Sequence, residues 1–294
     1  MKKIAIVTDT NASLPKEIVK KYQIIEVPIN IQFGEESYTT GVNIDDTRLF
    51  RMIDERKVVP STAAPSPSAF EEAYQFGFDH GAEKILCICC SSEMSATFQA
   101  AVMAKAHFAG SDIHVVDSQQ ISLAEGFQVI AAAEAIAEGK TIPEILEMIA
   151  SIQNRMVVYG ALPTLRYLAM GGRMGKLAAG FGETLEIKPI LTSRGGKLDL
   201  LEKVRTWKKA KQRLVELGVS NAKDAAVERV GLIHVNNQEG VLALYEDLKA
   251  ALGISLDPMV TEFTPGLSVH TGAGVIAYVL VLAPDVDSSA LLTS

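Results

Sequence analysis

The sequence predicts an α/β protein of two domains, a parallel-sheet N-terminal domain and a mixed-sheet C-terminal one. Three observations predict it. Short, unbroken apolar strands alternate with helical stretches through the first half, as in a parallel sheet covered on both faces. The second half loses that alternation and carries a hairpin-like pair around SRGGK. A chain of 294 residues is long enough for two cores, at about 100–200 residues per domain. The domains are expected at residues 1–156 and 157–294.

The elements follow in order. KIAIVTD (3–9) reads as a buried strand and KEIVKKY as a helix. IIEVPINIQF (24–33) is apolar and β-branched, hence a strand. A turn and short strand follow in GEESYTTGVNI, then a helix in DDTRLFRMIDE. VVPSTAAPSPS reads as a Pro/Ser-rich loop feeding a helix, with Ser66 as N-cap and Pro67 at its first position; Ser68 and Glu71 offer an alternative capping box. KILCIC, SATFQAAVMAKAHFA, IHVVDS, residues 122–138 and TIPEILEMIASIQNR continue as strand, helix, strand, helix, helix. Beyond them, ALPTLRYLAMGGRMGKLAAGFGETL reads as helical with glycine breaks, and IKPILTSRGGKLDLLEKVRT as paired strands. A basic helix starts at Trp207, RVGLIHV is a strand, 239–251 a helix, and strands recur near 259–263 and 275–282.

Composition narrows the function. Hydrophobic residues make up 48% of the chain, and 28 Lys and Arg against 35 Asp and Glu give a formal charge of −7. That balance argues against nucleic acid as a partner. IAIV is too short for the apolar core of a secretion signal, and no apolar run approaches the ~20 residues needed to span a bilayer. The expected location is cytoplasmic. Cys87, Cys89 and Cys90 are the only cysteines; they read as small apolar residues of a buried strand, without the further ligands of a zinc site. No metal is expected.

Three motif matches fail. GGRMGK lacks the Gly and the Ser or Thr of a phosphate-binding loop, having Met170 and Leu177 there. Gly272-Ala-Gly274-Val-Ile-Ala277 lies too close to the end of the sequence for a dinucleotide fold. No G-x-S-x-G elbow is present, although a serine and a histidine could still meet in space.

The informative stretch is CSSEMSATFQ (90–99). It places Ser91, Ser92, Ser95 and Thr97 between a buried strand and a helix, with no Lys or Arg among them. Helix N-termini attract anions, and Ser92 or Ser95 could equally cap the helix. Ser61 and Thr62 form a second hydroxyl pair ahead of another helix. Loops after parallel strands gather at one sheet edge, so the two loops are expected to face one anion. Phosphate would recruit Arg or Lys; a carboxylate on an apolar ligand asks for less.

The chain resembles the DegV family, whose members bind one long-chain fatty acid. The resemblance runs through IAIVTDTNASLP, VPINIQFGEESY, TAAPSPSAF, SSEMSATFQ, VVDSQQIS, LRYLAMGGRMGK, IKPILTSRGGKL, KVRTWKKA and VHTGAG. It implies two α/β domains with the acyl chain in a tunnel. It implies a carboxylate held by Thr62 and Ser92, with Ser95 close by and His270 helping. It implies presentation of the acid to a partner fatty acid kinase that makes acyl phosphate for phospholipid synthesis, with Arg173 and Arg205 docking the partner or positioning the head group. No cofactor and no chemistry by the chain itself are implied. Two departures stand out: TAAPSP replaces the commoner TSQPSP, and Glu93 and Ala96 replace glycines; Glu93 is expected to face solvent. The basic run Lys203, Arg205, Lys208, Lys209, Lys211 and Arg213 reads as a solvated helix face or as a docking surface anchored by Trp207. The rival reading is a serine hydrolase using Ser92 or Ser95 with His270.

Overall fold

The computed structural model describes residues 4–173, 187–222 and 225–284. The described chain divides into two compact units. Unit 1 holds residues up to 153 together with 195–197 and 264–266; unit 2 holds the rest. A single cut near residue 156 does not describe the two short later segments that belong to unit 1.

In chain order unit 1 contains β1 (Ile4–Asp9), α1 (Lys16–Tyr22), β2 (Ile25–Val27), β3 (Asn30–Phe33), β4 (Glu36–Thr39), α2 (Asp46–Arg56), β5 (Ser61–Ala63), α3 (Pro67–Asp79), β6 (Lys84–Cys89), α4 (Thr97–Lys105), β7 (Asp112–Asp117), α5 (Leu123–Ala137) and α6 (Ile142–Asn154). Strands β2-β1-β6-β7 form a sheet in that order, parallel throughout. Ile85 to Cys89 are all buried because helices cover both faces. A separate antiparallel sheet runs β4-β3-β5, with Ile31 opposite Thr62.

The sequence 24–33, expected as one strand, is therefore two strands in two sheets, broken at Pro28, which has no N–H for a ladder. Residues 61–63, expected as loop, pair as β5. Ser66 does cap α3, accepting the Ala69 N–H at 3.3 Å, with Pro67 following. The alternative capping box does not form: Ser68 bonds to Ser66 at 2.7 Å and Glu71 pairs with His107.

Unit 2 contains β8 (Met156–Ala161), α7 (Arg166–Met170), β9 (Lys188–Arg194), β10 (Lys197–Val204, whose first residue falls in unit 1), α8 (Trp207–Ala222), β11 (Val227–His234), α9 (Gln238–Leu252), β12 (Met259–Glu262), α10 (Pro265–Thr271, beginning in the short unit 1 segment) and β13 (Ile276–Leu282). Its sheet runs β10-β9-β8-β13-β11-β12. β11 and β12 are parallel, while β8, β13, β9 and β11 pair antiparallel. The mixed sheet matches expectation. Its centre is β13, every residue of which is buried; Tyr278 reaches α8, donating to the Leu214 carbonyl at 2.8 Å. Strand β8 and helix α10 were not foreseen. The helical reading of 174–186 lies outside the described residues. No described helix is long and apolar enough to cross a membrane.

Candidate functional site

Because β1, β6 and β7 are parallel, the segments that follow them leave the same edge of the sheet. Hydrogen bonds knit these segments together. Ser91 N–H donates to the Gln120 carbonyl at 2.8 Å, and Ser122 N–H to that of Asn11 at 2.7 Å. The turn 91–95 closes on itself, with the Met94 and Ser95 N–H groups both donating to the Ser91 carbonyl.

The four hydroxyls of this turn have separate tasks. Ser91 is buried and donates to the Gly196 carbonyl at 2.6 Å. Gly196 has φ +78°, and a Cβ there would lie 2.9 Å from Ser91 Oγ, so glycine is needed on both counts. Ser92 is exposed and donates to Asp117 Oδ2 at 2.5 Å, while its N–H reaches Oδ1 at 3.3 Å. Ser95 and Thr97 bond to each other at 2.8 Å, and Ser95 Oγ also accepts the Thr97 N–H. Ser95 thereby shares in starting α4, although Ala96 stands at the cap. Glu93 faces solvent and pairs with Lys197 at 3.3 Å.

Thr62 also belongs to unit 1. It is half-buried in β5, in the antiparallel sheet. β5 is not a strand of the parallel sheet, so Thr62 does not follow one of its strands as the sequence suggested. The residue that sequence reasoning missed at the turn is Asp117. Its signal was present, a carboxylate ending the strand IHVVD, but strand-end acids have many uses.

In unit 2, His270 is buried near the end of α10. Burial, helped by the positive charge of Arg173, pushes its pKa down to about 4. At neutral pH it is therefore a neutral imidazole, a hydrogen-bonding group and not a cation. Gly171 lies flat against this ring; a Cβ there would collide with His270 Nδ1. Arg173 is exposed and donates to the Gly171 carbonyl at 2.6 Å. The structure thus brings Arg173, Gly171 and His270 together.

Arg205 is exposed where β10 gives way to α8. Lys203, Lys208 and Lys209 are exposed beside it, but Arg213 is engaged by Glu202 and Glu216. Trp207 is not a free anchor. It packs on the core of unit 2, with Lys188 Nζ 5.6 Å from its ring centre.

The three cysteines are buried and free. Burial pushes the Cys89 and Cys90 thiols up, so neither is a ready nucleophile. A serine nucleophile would aim its proton at a base such as histidine. Ser92 aims it at Asp117, and the hydroxyls of Ser95 and Thr97 bond to each other.

The family model described as "Uncharacterised protein, DegV family" matches residues 3–283. The chain belongs to the DegV family. A DegV domain-containing protein of Streptomyces coelicolor is 34% identical over 94% of this chain and 98% of its own length. Protein DegV of Bacillus subtilis is 31% identical over 93% and 97%. Among solved structures, one described as fatty acid binding of a DegV family protein from Thermus thermophilus superposes with a TM-score of 0.89 at 27% identity, covering 96% of this chain and all of that one. The structure of DegV from Bacillus subtilis, described as a fatty acid binding protein, has a TM-score of 0.86 at 28% identity over the same shares.

Proposed function

We propose that this DegV-family chain is a cytoplasmic binding protein for a long-chain fatty acid, doing no chemistry of its own and presenting the carboxylate to a partner fatty acid kinase. One observation supports it most: a buried imidazole held neutral beside an exposed arginine, in a chain whose relatives of the same fold are described as binding fatty acids. A neutral donor can hydrogen-bond a carboxylate without forming a buried ion pair, whose desolvation would offset much of its gain.

In this reading Thr62, Ser92, Ser95 and His270 orient the carboxylate. The apolar tail contributes most of the affinity, at ~0.8 kcal/mol per buried CH₂. Arg173 and Arg205 face the partner. Acyl-phosphate formation would be the partner's reaction, feeding phospholipid synthesis.

The test is native mass spectrometry of the purified protein, followed by denaturation and identification of any released lipid. The expected result is one fatty acid per chain, diminished in the Thr62→Ala/Ser92→Ala/His270→Ala variant. A protein that arrives empty and takes up no added fatty acid would overturn the reading. Turnover of an ester abolished by Ser92→Ala would establish the hydrolase instead.

A further inference from the structure

Beneath the Ser91–Ser95 turn lies a cluster of acids without a base. Asp9 ends β1, Glu125 lies in the first turn of α5, and both are wholly buried. Asp9 accepts the Asn11 N–H at 3.0 Å on one oxygen and the Cys90 N–H at 2.9 Å on the other. Glu125 Oε1 accepts the Thr8 hydroxyl at 3.2 Å, and its Oε2 is buried with no donor among the described residues. Donor atoms of Asp9, Cys90 and Glu125 lie within 4.8 Å of one another. The other groups acting on the two acids are Thr8, Asn11, Cys87, Cys89 and Cys90, none of them cationic; Glu26 lies within electrostatic reach of Asp9, and Lys16 within reach of Glu26.

Two carboxylates in one dry pocket cannot both ionise without a compensating charge. A metal ion fits poorly as that charge. Both Asp9 oxygens already accept backbone N–H groups, and Cys90 Sγ accepts from the Asn11 amide at 3.4 Å. A proton fits well, because it supplies the donor that Glu125 and Asp9 together lack.

We infer that Asp9 and Glu125 share one proton in the folded protein, and that this pair is a positioning device for the turn carrying Ser92. With the proton in place, Asp9 keeps its grip on the N–H of Cys90, the residue just before the turn. The pair then carries one negative charge and not two beneath a turn proposed to meet an anion. Burial pushes the Asp9 carboxyl up and that of Glu125 well above its usual range. Ligand binding and protonation of the pair are therefore linked, each favouring the other. That linkage rests on the fatty-acid reading; the shared proton does not.

The test uses the full chain, stripped of lipid, with palmitate as the probe. Infrared spectra of the wild type, titrated with base, are expected to show a buried protonated-carboxyl band that persists above about pH 7, where Glu26 ionises, and that Glu125→Gln removes. Palmitate affinity, measured calorimetrically from about pH 7 to about pH 9, is expected to fall roughly tenfold in the wild type and less than about twofold in Glu125→Gln, whose amide needs no proton. Absence of the band in the wild type overturns the shared proton, even if the variant fails to fold. Stoichiometric metal in the purified protein overturns it too. A band with identical pH profiles in both proteins overturns the positioning role. If palmitate binds at no pH, the fatty-acid reading and the linkage fail together, and the band alone decides the proton.

Discussion

At the scale of single residues, the proton of Ser92 is the quantity to watch. It points at Asp117, so an arriving carboxylate must compete for it and must tolerate a second carboxylate beside it. Asp117→Asn changes both terms. The amide oxygen can keep the Ser92 and Gln119 N–H groups on the side where Oδ1 accepts them now. The amide nitrogen then donates to Ser92 Oγ and frees the hydroxyl to donate outward. Fatty-acid affinity should rise about tenfold, ~1.4 kcal/mol, by calorimetry; an unchanged or weaker affinity would show that Ser92 does not meet the ligand. His270 makes a complementary case. Gly171→Ala has no backbone penalty to meet, since φ there is −77°, yet its methyl must displace the imidazole. Fatty-acid affinity should fall by at least about tenfold while the far-ultraviolet dichroism stays native.

At the scale of elements, helix α3 tests a single cap. Ser66→Ala removes the side-chain acceptor for Ala69 N–H and should cost about 1 kcal/mol in a urea titration. Elements whose signal is local were legible in the sequence. The buried run KILCIC, the Ser66–Pro67 start of α3 and the hairpin around Gly195–Gly196 each declare themselves within a few residues. Elements defined by distant partners were not. Thr62 becomes a strand residue only because Ile31 lies opposite it, and MVVYGA becomes β8 only between β9 and β13. Helix α10 hides behind the glycines of VHTGAG. The same reason explains the site: the hydroxyls of the turn are visible in the sequence, but Asp117 comes to Ser92 from 25 residues away, and Glu125 to Thr8 from 117.

At the scale of the whole molecule, stability should depend on pH through two opposed terms. His270 titrates near 4 when folded and near 6.5 when unfolded. The unfolded chain thus binds more protons between those values, and stability is lost on acidification through that window, by roughly 3 kcal/mol at most. His270→Gln should flatten that acid limb. Glu26 works the other way. Burial, with the charge of Asp9, raises it to about 7, so the folded state binds the extra proton and stability falls as pH rises from about 4.5 to about 7. Glu26→Gln should lessen that decline, to which the proton shared by Asp9 and Glu125 also contributes, in thermal melts recorded across the same range; an unchanged profile would show that Glu26 is hydrated. Bound fatty acid adds a third term, since any ligand that prefers the folded chain raises the melting temperature with its concentration.

Trp207 carries a practical consequence of its place in unit 2. It is the only tryptophan in the chain, and it is packed on one core with a lysine over its ring. Its fluorescence is a private optical signal from that half of the protein, while circular dichroism sums over both halves. Followed side by side through denaturation, coincident curves would mean that the halves melt as one. A displaced emission curve would give the free energy of each half separately, without cutting the chain.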